Sequence, residues 1–110
     1  MEITTRDITD IKIVDIIGEL NTDASIVAET ILNKLRENGA KKILVNLEKL
    51  DFIASWGLRV LLVTAQGVKK DGGELRICGL NETVKQVFEF SGFNKLFTIT
   101  ESEANALSEF

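Results

Sequence analysis

The spacing of apolar residues changes its period along the chain, and each change marks an element. Over residues 3–8, Ile3, Thr5 and Asp7 alternate with Thr4, Arg6 and Ile8, as in a short exposed strand, and residues 11–17 form an apolar-rich run closed by Gly18. Two strands joined in a hairpin are predicted there. The spacing then turns helical. Ala24, Val27, Ala28, Ile31, Leu32 and Leu35 fall on one face, after a cap at Thr22 or Asp23 and before a stop at Asn38-Gly39. Residues 42–47 are nearly all apolar and read as a central strand buried on both faces.

A helix opening at Ser55 follows, then a turn at Asp71-Gly72-Gly73 and a strand over residues 74–78. Asn81 caps a third helix through Phe90, stopped at Ser91-Gly92. Residues 96–100 read as a last short strand, and Thr100 with Glu103 has capping-box spacing for a terminal helix. The order ββαβαβαβα predicts an α/β fold. About five mostly parallel strands, the first in an antiparallel hairpin, are covered by about four helices in one domain spanning residues 1–110.

The helix from Ser55 has two apolar stripes. At 100° per residue, Leu58, Leu61, Leu62, Ala65 and Val68 gather on the side that would pack on the sheet. Trp56, Val60, Val63 and Gly67 gather on the opposite side, flanked by Arg59, Gln66 and Lys70. A helix covering a sheet needs one apolar face. The second stripe is either covered by another element of the domain or left exposed to dock a partner, with Trp56 as the anchor and Gly67 allowing close approach. We expect the second stripe to be exposed. Ser55 itself sits where a helix start offers free N–H groups and partial positive charge. Its hydroxyl is suited to cap the helix, and the place tolerates a phosphate.

Composition narrows the chemistry. The 110 residues are 45% hydrophobic and 27% charged, ordinary for a globular domain. The formal net charge of −4 disfavours nucleic acid or an anionic membrane as partner. There is no apolar run of membrane-spanning length and no basic-then-apolar start, so the expected compartment is the cytoplasm. The single cysteine, Cys78, lies in a strand pattern and reads as core.

The chain has no histidine, which removes the usual general base and metal ligand. Ser55 also lacks the glycine two residues before it that a nucleophile elbow requires, since Ile53 stands there, and no lysine spacing supports a Ser–Lys pair. The carboxylates Asp15, Glu19, Asp23 and Asp51 are scattered, and no phosphate-binding glycine loop occurs. We expect no enzyme activity, no cofactor and no metal.

Several segments together resemble the anti-sigma-factor antagonists, the small single-domain members of the STAS family. The segment from Gly18 to Ala24 looks like that family's loop before the first helix, and Leu44-Val45-Asn46-Leu47 like its central strand. Phe52-Ile53-Ala54-Ser55-Trp56-Gly57-Leu58 looks like its signature, where aspartate, serine, then serine or threonine precede Gly-Leu. Gly73-Glu74-Leu75 and the segment from Val84 to Phe93 resemble its later strand and helix.

The resemblance implies a STAS-like fold and a partner that is both an anti-sigma factor and a serine kinase. Binding that partner releases a sigma factor, and ATP-dependent phosphorylation of the signature serine, here Ser55, turns binding off. With the second stripe of the serine helix, the expected contact surface is Trp56, Gly57, Arg59, Val60, Val63 and Gly67, together with Glu19 and Asn21 from the preceding loop. Two positions depart from the signature. Ala54 removes a negative charge beside the acceptor, and Trp56 adds bulk. The alternative is a STAS module that senses a ligand or scaffolds other proteins without phosphorylation. A monomer is expected, with self-association left open.

A phosphate on Ser55 carries about −1.5 to −2 charges at pH 7. The helix start would accommodate it, so the fold should change little. At an interface the same charge would be buried beside Trp56 at a cost of several kcal/mol.

Overall fold

The computed structural model describes residues 1–110. Its elements in order are β1 (Glu2–Ile8), β2 (Ile11–Leu20), α1 (Thr22–Glu37), β3 (Lys42–Asn46), β4 (Leu50–Ile53), α2 (Ser55–Lys70), β5 (Glu74–Cys78), α3 (Glu82–Ser91), a 3-10 turn (Phe93–Lys95), β6 (Thr98–Thr100) and α4 (Glu103–Glu109). The sheet runs β1-β2-β3-β5-β6, with only the β1–β2 hairpin antiparallel. β3 is central, and its residues Ile43, Leu44 and Val45 are fully buried.

The sheet has six strands, one more than the sequence pattern predicts. β4 is the addition, and it pairs in parallel with the end of β2, Leu20 opposite Ile53. β2 therefore does not stop at Gly18. It passes through that glycine, whose φ is 95°, with a register shift, and continues to Leu20. Running two residues further moves the cap of the first helix. Asn21, not Thr22 or Asp23, caps α1, its Oδ1 accepting from the Ala24 N–H at 2.9 Å. At the other end of the chain, Ser102 and not Thr100 caps α4, accepting from the Asn105 N–H. Asn81 caps α3 as predicted, and its amide also donates to the Leu50 carbonyl at 2.8 Å.

The two faces of the sheet are covered unequally. α1, α2 and α3 lie over one face and share a 19-residue core that includes Ile16, Leu20, Leu32, Leu61 and Phe88. The α1 face differs at one position: Val27 is exposed and Ser25 is buried, its hydroxyl donating to the Asn21 carbonyl at 2.6 Å. The opposite face has a five-residue cluster of Ile11, Ile13, Leu44, Cys78 and Ala106, covered by α4 alone. Charge helps hold α4 there. Arg6 bridges Asp15 and Glu103, and Arg76 reaches Glu109 and lies 5.0 Å from the Phe110 ring centroid. Cys78 is core, as its pattern predicts, and burial pushes its thiol up to about 12.

Candidate functional site

Helices that follow parallel strands begin at the carboxyl edge of the sheet. The starts of α1 and α2 are tied together there, because the Ala54 N–H donates to the Leu20 carbonyl at 2.9 Å. β4 ends at Ile53, so Ala54 takes the capping position with an extended backbone (φ −83°, ψ 164°), and Ser55 is the first helical residue. The expected capping by Ser55 is thus corrected. The serine stands one residue too late, and no side chain caps α2. Its hydroxyl is exposed and makes no hydrogen bond within the domain.

The second stripe of α2 divides in two. Trp56 (41% exposed) and Val63 (48% exposed) face outward, as a docking surface requires. Val60 (2% exposed) does not, and its expected place at the surface is overturned: it belongs to the main core. The reason is tertiary. α1 packs along α2, so α2 must present apolar atoms to a neighbouring helix as well as to the sheet. Thr64, on the same side, is buried too, and its hydroxyl is satisfied by the Val60 carbonyl at 2.7 Å.

The two glycines are also inward. A Cβ on Gly57 would lie 2.9 Å from Leu20 Cδ2 and 3.0 Å from Ile53 Cγ1, so the missing side chain lets α2 sit tightly on the ends of β2 and β4. Gly67 lies under the Arg36 guanidinium of α1, which occupies the space a side chain would need. Neither glycine is an open landing place for a partner, contrary to expectation, because each is already used for packing within the domain. Arg59 is exposed, with its guanidinium carbon 5.2 Å from the Trp56 ring centroid. Glu19 is exposed beside β4, opposite Phe52 in the strand register. Asn21 is exposed but already engaged as the cap of α1.

The surface around Ser55 that remains accessible is thus Trp56, Arg59, Val63, Glu19 and Asn21. Apolar exposure that stripe counting missed continues nearby on Phe52 of β4 and on Ile26 and Val27 in the first turns of α1. Phe90 and Leu96 are exposed as well, but Phe90 lies in the last turn of α3 and Leu96 follows the 3-10 turn after it. A cleft of about 360 Å³ opens elsewhere, lined by Arg6, Asp15, Asn46, Lys49 and Glu103. Its charges largely satisfy one another: Arg6 donates to both carboxylates, and Asn46 to Glu103 at 3.0 Å. Hydrogen bonding from Arg6 holds the Glu103 carboxyl below its usual range. No helix is long and apolar enough to cross a membrane.

A model of the STAS domain matches residues 2–106. BtrV of Bordetella bronchiseptica, named as a candidate anti-sigma factor antagonist, is 33% identical over 110 residues, covering this whole chain and 95% of that protein. The anti-sigma F factor antagonist of Paenibacillus polymyxa is 30% identical over 100 residues, 90% of this chain and 86% of its own. Among solved structures, the Bacillus cell fate determinant SpoIIAA in its phosphorylated form superposes with a TM-score of 0.76 at 22% identity, over 98% of each chain. This chain belongs to the STAS domain family.

Proposed function

We propose that this domain is an anti-sigma factor antagonist whose binding surface centres on Trp56 and is switched by phosphorylation of Ser55. The unmodified form binds an anti-sigma factor and so frees a sigma factor. The same partner, acting as a serine kinase, transfers the γ-phosphoryl group of ATP to the Ser55 hydroxyl and ends the interaction. In this reading the chain is a binding module and not a catalyst. It works in the cytoplasm as a monomer and touches neither nucleic acid nor membrane.

One observation carries the reading: a free, exposed serine hydroxyl at the start of α2, next to a tryptophan that the domain leaves 41% exposed. The names of full-length relatives support the partner class. A neighbour with the same fold exists in phosphorylated form, so the fold is compatible with the modification. The off state follows from electrostatics. An uncompensated dianion in an apolar interface costs several kcal/mol, and about 4 kcal/mol is roughly a thousandfold in affinity.

The test uses the anti-sigma factor encoded by the same organism. Calorimetry should give tight binding for the wild type and about a thousandfold weaker binding for Ser55→Asp, with unchanged circular dichroism. Incubation with ATP and that partner should add one phosphate by intact mass. Wild-type affinity in Ser55→Asp would refute the switch. A domain that gains no phosphate would fit the scaffold or ligand-sensing module instead.

A further inference from the structure

The chain has four arginines. Arg6 pairs with Asp15 and Glu103, Arg36 with Asp71, and Arg76 with Glu74 and Glu109. Arg59 alone has no carboxylate partner and lies over the Trp56 indole. Side chains on a helix lean toward its N-terminus, and residues four apart are neighbours on its surface. The Arg59 guanidinium, 5.2 Å from the Trp56 ring centroid, is thus directed back toward the first turn of α2, and helical spacing puts Ser55, four residues before it, on the same side.

We infer that Arg59 is the built-in counter-ion of a phosphoryl group on Ser55, and that pairing with the phosphate draws the guanidinium off the Trp56 ring. This rests on the reading of Ser55 as a phosphoacceptor. It adds a positioning residue and a second consequence of modification. A guanidinium pairs with phosphate through two parallel charge-assisted hydrogen bonds, which outcompete an exposed cation–π contact. Before modification, the docking face presents an indole carrying a cation. Afterwards, the cation belongs to the phosphate and the indole is bare. One guanidinium offsets only part of a phosphate charge of about −1.5 to −2, so the partner meets a changed Trp56 surface as well as a residual negative charge, while the backbone stays where it was. Arg59 would also hold the phosphate over α2 and limit its swing into solvent.

The experiment needs no kinase. Phosphoserine is incorporated at position 55 during translation, in the wild type and in Arg59→Gln and Arg59→Lys. The phosphate is then titrated by phosphorus NMR. In the wild type its midpoint, ordinarily near pH 6, should fall about half a pH unit below that in Arg59→Gln, with Arg59→Lys between them. Trp56 is the only tryptophan and tyrosine is absent, so indole fluorescence reports this ring alone. The emission of the phosphorylated wild type should approach that of unphosphorylated Arg59→Gln.

Equal phosphate midpoints in the wild type and Arg59→Gln would overturn the inference. So would an indole signal that phosphorylation leaves unchanged. Failure of the switch itself reads out separately, as phosphorylated protein that still binds the anti-sigma factor at full affinity.

Discussion

α1, α3 and α4 begin alike, and α2 begins differently. Each of the three has a side-chain cap, from Asn21, Asn81 and Ser102 respectively, and an acid in its first turn, Asp23, Glu82 and Glu103. α2 has neither, although its start is tied to that of α1 through the Leu20 carbonyl. An uncapped start with no acid leaves N–H groups and partial positive charge uncompensated by side chains. The domain tolerates this because α2 is held by packing. Leu58, Leu61 and Val68 are buried, and Gly57 lets the helix sit close. The contrast separates two roles. Three helix starts are completed for stability, and the fourth, which carries Ser55, remains open to an anion.

That contrast can be broken or sharpened by substitution. The largest effect is expected at Asn81, which both caps α3 and donates to the Leu50 carbonyl. Asn81→Ala should cost about 2 kcal/mol in urea denaturation. Asn21→Ala removes only a cap and should cost about 1 kcal/mol. At the open start the sign reverses: Ala54→Asp should stabilise by about 1 kcal/mol, since it supplies the missing cap. Destabilisation by that variant would show that the α2 start is not short of a cap. Ser55→Asp should also stabilise, by about 0.5 kcal/mol, and the gain should vanish in 1 M salt.

The smallest effect is at α4, whose first-turn acid is already paired. Hydrogen bonds from Arg6 and Asn46 lower the Glu103 pKa. Its contribution is thus complete above the unfolded glutamate value, about 4.3. It is lost as pH falls through the lower folded value. Amides of α4 should exchange faster, relative to those of α1, below about pH 4, and Arg6→Ala should weaken that pH dependence, leaving the part due to Asn46.

Much of this molecule is legible in its sequence, and the gaps have physical causes. Long periodic segments read correctly, such as the sheet-facing stripe of α2 and the run that becomes β3. β4 was invisible because it has four residues and only Leu50 and Ile53 turn inward, which gives no alternation. Missing it shifted the helix start by one residue, so Ser55 seemed a cap. Asn21, Thr22 and Asp23 are all competent caps, and the choice among them followed from how far β2 runs. Helical periodicity correctly placed Trp56 and Val60 on one side. It could not show that α1 covers Val60 and leaves Trp56 open, nor that Arg59 alone among the arginines lacks a carboxylate.

Near its end, α2 has a notch at Gly67, and the last turn of α1 fills it with the Arg36 guanidinium, itself anchored to Asp71 at 3.0 Å. The two rods are thereby keyed together at the end remote from Ser55, about 18 Å along the axis. A single methyl at that notch would push the flexible arginine aside and disturb its bond to Asp71. The α1–α2 pair is thus fastened at both ends, by the Leu20 carbonyl beside Ser55 and by this arginine three turns away.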